Sequence, residues 1–524
     1  MTERIRSLQM NQDNRRWWAL GAMCFALFMI MLDNTVVNVA LPSIQRSLHA
    51  STASLEWTVN AYTLSFAVLL VTGGRLGDLF GRRRMFLAGV VIFAVSSGSI
   101  GFSPNDTWLV AWRAVQGVGA SLMMPATLSI ISNAFPPEER GRAIGTWAGV
   151  SALALAIGPV VGGFLVQSVS WQSIFFLNLP VAAAAVAVAL FAVTESRDET
   201  VERAVDLPGV ATLTLGLAAL VLALVEGNAW HWGSVREVAL YATAVVGLAS
   251  FALIETRRHA PMVDFRFFRS RTFLGANIVA FIVSFAMLAM FFFLALYMQN
   301  ILHYSPLEAG IRFLPSTLMI VLLAPIAGRL ADRVGPRPLM TFGLTCVSGA
   351  LFWQSHLGVH SAYTALLGGF VLMGIGMACV MSPMSTAAMN AVDATKAGVA
   401  SGILSMSRMV GGTFGVAVLG AMVATLGRSK IDQLLPGAPA AVRDRVAAGI
   451  GSGASGDSAS AHVVNAGHEA FVYALQNGLR LGSAVALFGA VAAWTLVGGK
   501  ARAATVQTTE REAPAPPLAE TARA

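Results

Sequence analysis

The stretch TGGRLGDLFGRRRMF, residues 72–86, places one aspartate and four arginines between two long apolar runs. A close copy, GRLADRVGPRP, returns at 328–338. Aligning GRLGDLFGRRR with it gives six identities in eleven positions: Gly, Arg, Leu, Asp, Gly and Arg. A charged loop that recurs in a hydrophobic chain marks a duplicated unit, and internal repeats of this kind build many membrane transporters.

The rest of the chain fits that frame. Of its 524 residues 56% are hydrophobic and only 12% are charged, against roughly 25% charged in a soluble protein. The apolar residues fall in blocks of about 20, the length an α-helix needs to cross about 30 Å of hydrocarbon. Every backbone amide in a bilayer must bond within its own segment, so the expected fold is all-α and polytopic. The net charge of +8 is carried by arginines in short connections, where they set orientation and do not point to nucleic acid. Cys24, Cys346 and Cys379 lie in apolar runs and fit neither a metal site nor a disulfide framework. The basic N-terminus precedes a run too long for a signal core, and it reads as an uncleaved first span.

Spans are expected at about 17–40, 55–75, 85–103, 108–130, 142–166, 173–193, 207–225 and 235–254, then at about 272–297, 307–327, 339–357, 362–384, 399–424 and 470–498. That makes fourteen transmembrane helices. The two repeat copies follow spans two and ten, so eight spans separate them where a duplicated six-helix unit requires six. The surplus pair is placed between the halves. The expected organisation is an arm at 1–16, a six-helix bundle at 17–198, two additional helices at 199–260, a second six-helix bundle at 261–498 and a disordered tail at 499–524. A long flexible connection is expected at about 425–469, with AAVRDRVAAGI in it able to form a short helix. Arg82, Arg83, Arg84, Arg140, Arg142, Arg257, Arg258, Arg333 and Arg337 fall on one side with the arginines of the N-terminal arm. That side is expected to be cytoplasmic, with both termini on it, in a bacterial cytoplasmic (inner) membrane.

Further motifs sharpen the reading. The first span carries LDNTVVNVALP (32–42), the fourth RAVQGVGAS (113–121), the fifth GPVVGG (158–163), and WQSIFFLNLP follows at 171–180. In this order, with the charged loop, the sequence resembles the major facilitator superfamily over nearly its whole length. Within that family it resembles the fourteen-helix drug:proton antiporters of multidrug efflux. The resemblance implies that the loop at Asp78 is a conformational latch, that proton coupling involves Asp33 and Arg113, and that Gly158, Pro159, Gly162 and Gly163 form the antiporter motif.

The residues support roles of their own. Asp78 can accept hydrogen bonds from arginines across the turn, or sit at a helix N-terminus where the dipole favours an anion. Such a contact would hold one side shut, with Arg82, Arg83 and Arg84 as gate residues or plain topology signals and Asp332 as the symmetric candidate. Asp33 interrupts an apolar span, where an acid is costly and faces a cavity or a partner. It lies about 7 residues, roughly 10 Å, below the outer end of span one, and Arg113 about 5 residues, roughly 8 Å, below the outer boundary of span four. The two are expected to meet directly or through water as a proton-sensitive ion pair, the alternative being a permanent structural pair. Asn38, Trp57, Asn60, Tyr62 and Gln116, with Met381 and Met384 from the second half, are candidates for an apolar and aromatic substrate cavity. Arg312 and Arg408 are structural or coupling residues, without a choice between the two.

The chain has three lysines, none in a Walker A loop, so ATP hydrolysis is not expected. No cofactor or metal is expected, only protons as coupling ion. The expected function is proton-driven export of lipophilic, often cationic drugs or toxic compounds by a monomer, with small molecules and the bilayer as partners. A dedicated exporter of one metabolite or antibiotic, and a non-transporting sensor or scaffold, are the alternatives. A periplasmic adaptor is left open. An enzyme would need a nucleophile–base or metal constellation, and none is found.

Overall fold

A computed structural model describes residues 12–50, 52–197, 206–230, 233–258, 261, 263, 265–393, 396–449 and 461–498. All elements among them are helical. The first part of the chain forms α1 (Gln12–Leu48), α2 (Thr52–Phe80), α3 (Arg82–Gly101), α4 (Asp106–Ala134), α5 (Pro137–Ser168) and a sixth span broken into α6 (Ser173–Phe176) and α7 (Asn178–Ala192). The middle pair is α8 (Leu207–Trp230) and α9 (Val235–Arg257). The last part forms α10 (Arg271–Asn300), α11 (Pro306–Arg312), α12 (Leu314–Val334), α13 (Pro336–Gln354), α14 (Tyr363–Asn390), α15 (Ala397–Leu434), α16 (Ala440–Gly449) and α17 (Ala461–Leu496).

Twelve of these helices are long and apolar enough to cross a membrane. Two more long helices, α5 with 32 residues and α13 with 19, pack among them without belonging to that twelve. Large apolar side chains such as Phe164, Phe191, Phe488 and Trp494 lie exposed on the bundle surface, a surface suited to lipid and not to water. The chain is a multi-pass membrane protein.

Several helices run past their apolar cores. Helix α15 has 38 residues, which at 1.5 Å each is about 57 Å, nearly twice the hydrocarbon thickness. For this reason the described part of the connection expected at about 425–469 is largely helical. α15 continues to Leu434, α16 covers the segment read as a short helix, and α17 begins at Ala461. Hydropathy marks the membrane core and not the helix ends, so the polar extensions were invisible to it. The expected disordered tail at 499–524, the first eleven residues of the arm and the Gly/Ser-rich stretch at 450–460 lie outside the described residues.

The two repeat copies adopt one local design. Gly81 and Gly335 occupy matching positions and are the glycines with positive φ among the described residues, at 112° and 94°. A side chain is strained there, so glycine is what allows the chain to turn directly from one helix into the next. Each copy ends a helix that crosses to the other half: α2 packs on α15, and α12 packs on α5. The middle pair α8–α9 sits beside the first of these seams, where α8 touches both α2 and α15.

Candidate functional site: a buried ion pair and two latches

Asp33 on α1 and Arg113 on α4 form a direct ion pair, both side chains about 1% exposed. The pair is held by a shell of polar groups from four helices. Gln116, one turn along α4, accepts from Arg113 Nη1 at 2.7 Å, and its Nε2 donates to Asp33 Oδ1 at 3.2 Å. Arg113 Nε donates to the Thr58 carbonyl of α2 at 2.9 Å. Asn178 of α7 donates to Asp33 Oδ1 at 3.5 Å and to Ser97 Oγ of α3 at 2.8 Å. The guanidinium also lies over the Tyr62 ring, 4.3 Å from its centroid. Both carboxylate oxygens therefore have donors, as a charge taken out of water requires.

This arrangement has a chemical consequence. If Asp33 takes a proton, Arg113 is not stranded. It keeps Gln116 Oε1, the Thr58 carbonyl and the Tyr62 face. A buried cation that loses its only partner costs about 3–5 kcal/mol, whereas Arg113 has neutral partners besides the carboxylate.

Asp78 ends α2 and is fully buried. It accepts from Arg82 Nε at 2.9 Å and Nη2 at 2.7 Å, and from the backbone N–H groups of Gly398 at 3.0 Å and Val399 at 2.8 Å. Those two amides are in the first turn of α15, where helix N–H groups have no partner of their own. Both roles foreseen for this acid are thus filled at once, and the helix it caps belongs to the other half. The backbones approach so closely that a Cβ on Gly74 would overlap the Gly398 carbonyl.

Asp332 repeats the contact in weaker form. It accepts from Gly141 N of α5 at 3.2 Å and is only half-buried. Among the described residues no arginine pairs with it, and the position matching Arg82 is Pro336. The seam is tied instead by Ser382 donating to the Gly141 carbonyl at 2.9 Å and Arg140 to Asn390 at 2.8 Å. In this conformation the two halves are in contact at the end of the bundle that carries both repeats.

Arg83 and Arg84 stand apart from that gate. Both are on the surface of their own half, and their backbone N–H groups donate to the Glu195 carboxylate at 3.0 and 3.2 Å. Helix α3 starts at Arg82, so consecutive side chains diverge by about 100° and only the first can turn inward. Glu195, which caps the start of α3, had no sequence signal beyond its charge.

The proposed cavity residues divide. Tyr62 and Gln116 belong to the ion-pair shell. Met384 is fully buried and Met381 is 7% exposed, both inside the main core, so neither Met lines open space here. Trp57 is half-buried on α2, and Asn60 donates to Glu226 of α8 at 3.4 Å, tying the middle pair to the first half. The side chains of Asn38 and Pro159 lie outside the described residues. Asn178 was not singled out from the sequence, although WQSIFFLNLP contains it as one of two polar amides.

In the GPVVGG run, Gly158 and Gly162 face α1, where a Cβ on Gly158 would overlap the Thr35 side chain and one on Gly162 would press on Val36. Gly163 has nothing within 4 Å of that position. Gly158→Leu is therefore expected to cost at least about 2 kcal/mol through overpacking, and Gly163→Ala less than about 0.5 kcal/mol. Thermal unfolding of the purified variants in lipid nanodiscs measures both, and equal losses would refute the packing argument.

Residues 23–416 match the family model described as Major Facilitator Superfamily. The chain belongs to the Major Facilitator Superfamily. It is 37% identical over 411 residues to the tetracenomycin C resistance and export protein of Streptomyces glaucescens, covering 78% of this chain and 76% of that protein. It is 38% identical over 414 residues to a puromycin resistance protein of Streptomyces alboniger, covering 78% and 82%. Among solved structures, that of the proton:xylose symporter XylE aligns with TM-score 0.61 at 13% identity, over 93% of this chain and 97% of that one. At that identity it supports the fold alone.

Proposed function

We propose that this facilitator is a proton-driven antiporter that exports lipophilic drugs or toxic compounds across the bacterial cytoplasmic membrane. The observation that carries the proposal is the Asp33–Arg113 pair: a buried acid whose cationic partner also holds neutral acceptors. Export, not uptake, is supported by relatives whose names record antibiotic resistance and export. In this reading all fourteen long helices cross the bilayer, the repeat end faces the cytoplasm, both termini lie there, and the chain acts as a monomer and not as an enzyme. Protons are the coupling ion and no cofactor takes part. The two latches describe a state closed to the cytoplasm, and proton loss or gain at Asp33 biases the exchange with the opposite state.

One proton moving down 100 mV releases about 2.3 kcal/mol, and one pH unit adds about 1.4 kcal/mol. Together these sustain roughly a 500-fold gradient of a neutral solute at one proton per cycle. A cationic compound would have to compete with Arg113 for Asp33, and a single acid at that site predicts poor handling of dications. Everted vesicles with an acidic interior are expected to accumulate a lipophilic dye, and nigericin, which collapses the pH difference, to stop it. Dye accumulation that continues unchanged after nigericin and valinomycin together, which remove both the pH and the electrical difference, would exclude proton antiport.

A further inference from the structure

Arg408 lies eleven residues into α15, about 16 Å from its start and so near the midplane of a hydrocarbon layer about 30 Å thick. Its side chain is partly accessible while lying deep inside the bundle. Among the described residues it has no ion pair and no hydrogen bond. The sequence explains why. The membrane helices α10 to α15 and α17 carry Asp332 at one end and Glu308, Asp432 and Glu469 toward the other, with no acid between. Asp33, in the opposite half, is already neutralised by Arg113. Among the described residues, Arg408 is thus a deep positive charge with no ion-pair partner.

Two further groups share its face of the helix. Ser401 and Ser405 precede Arg408 at helical spacing, are 0% and 5% exposed, and their hydroxyls have no hydrogen-bond partner. Serine and threonine in a helix ordinarily bond back to the carbonyl four residues earlier, as Ser385 and Thr413 do here. Ser401 and Ser405 do not. Two unpartnered buried hydroxyls and the Arg408 guanidinium therefore lie along one face, from the latch end of α15 to mid-membrane, on a helix that also packs against α2 and α4 of the other half. An intramembrane arginine without an acid calls for an anionic partner, and guanidinium with hydroxyls matches the oxygens of a carboxylate or sulfonate.

We propose that Arg408, with Ser401 and Ser405, receives the anionic group of lipophilic substrates that carry a single negative charge. This rests on the export reading above and reverses the charge preference expected from Asp33 alone.

Two fluorescent probes with one ring skeleton test it: 1-anilinonaphthalene-8-sulfonate and its uncharged parent N-phenyl-1-naphthylamine. Equilibrium binding is measured on the full chain in zwitterionic nanodiscs, with empty discs subtracted. Arg408→Gln is expected to raise the dissociation constant of the sulfonate about 10- to 100-fold, the span expected for lost charge-assisted hydrogen bonds. Affinity for the parent should stay within about 3-fold, and Arg408→Lys, which keeps the charge but not the planar fork, should recover only part of the sulfonate binding. Ser401→Ala/Ser405→Ala should weaken the sulfonate alone. Equal effects on both probes, or an unchanged sulfonate constant in Arg408→Gln, would overturn the assignment. Binding reports on Arg408 whether or not transport occurs. Absence of pH-driven efflux of the uncharged parent from proteoliposomes would count against the export reading instead.

Discussion

Asp33→Asn is expected to abolish pH-driven efflux, by at least about 100-fold, while leaving a folded protein. The amide keeps the shape of the carboxylate and can still accept from Arg113, but it cannot bind or release a proton. Arg113 retains Gln116, the Thr58 carbonyl and the Tyr62 ring, so the structural cost should fall at or below the roughly 3–5 kcal/mol typical of a broken buried pair. Asp33→Glu keeps the titratable group but adds a methylene in a close-packed shell, and it should retain coupling at a reduced rate. Efflux from everted vesicles under an imposed pH step reads the coupling, and substrate exchange without a gradient reads the residual transport. Exchange should survive in Asp33→Asn, because the conformational cycle can run without the proton. Wild-type gradient-driven efflux in that variant would move proton coupling to another residue.

Much of this site was legible in the sequence because charge is rare in a membrane span. Asp33 and Arg113 stand out by type, and counting residues from the outer boundary set them at matching depth. Asp78 was legible through the repeat, which also announced Asp332. What the sequence lacked was direction. Arg82, Arg83 and Arg84 are equivalent as letters, and only the start of α3 separates the one that turns inward from the two that meet Glu195. The cavity candidates suffered likewise: the i, i+3 spacing of Arg113 and Gln116 put them on one face, but not against α1, α3 and α7. Asn178 was hidden inside a motif noted only for its family likeness. The free serines at 401 and 405 could not have been seen at all, since a serine in an apolar helix usually satisfies itself. Helix ends were misjudged for a related reason, because α15 and α17 carry polar turns beyond the bilayer that look like loop.

The repeat copies look equal in sequence and are unequal in structure, and this gives the second large effect. Asp78→Asn should open the repeat end, whereas Asp332→Asn should do so weakly. Asp78 meets Arg82 and two first-turn amides of α15 in full burial. An amide there offers one acceptor oxygen and turns an N–H group toward donors, with Arg82 left uncompensated. A loss of about 3–5 kcal/mol shifts the closed-to-open ratio by roughly 10²- to 10³-fold or more. Asp332 is half-buried, accepts from backbone at 3.2 Å and has Pro336 where the first copy has arginine. Its neutralisation should cost about 1 kcal/mol, since Ser382 and Arg140 hold the seam independently. Spin labels on Arg84→Cys and Arg333→Cys, exposed at that end in opposite halves, report the gap by electron–electron double resonance. The unlatched protein should show a longer and broader distance for Asp78→Asn and a nearly unchanged one for Asp332→Asn. Equal opening by the two variants would mean that the arginine and the helix terminus contribute nothing, and that the seam is held by glycine packing alone.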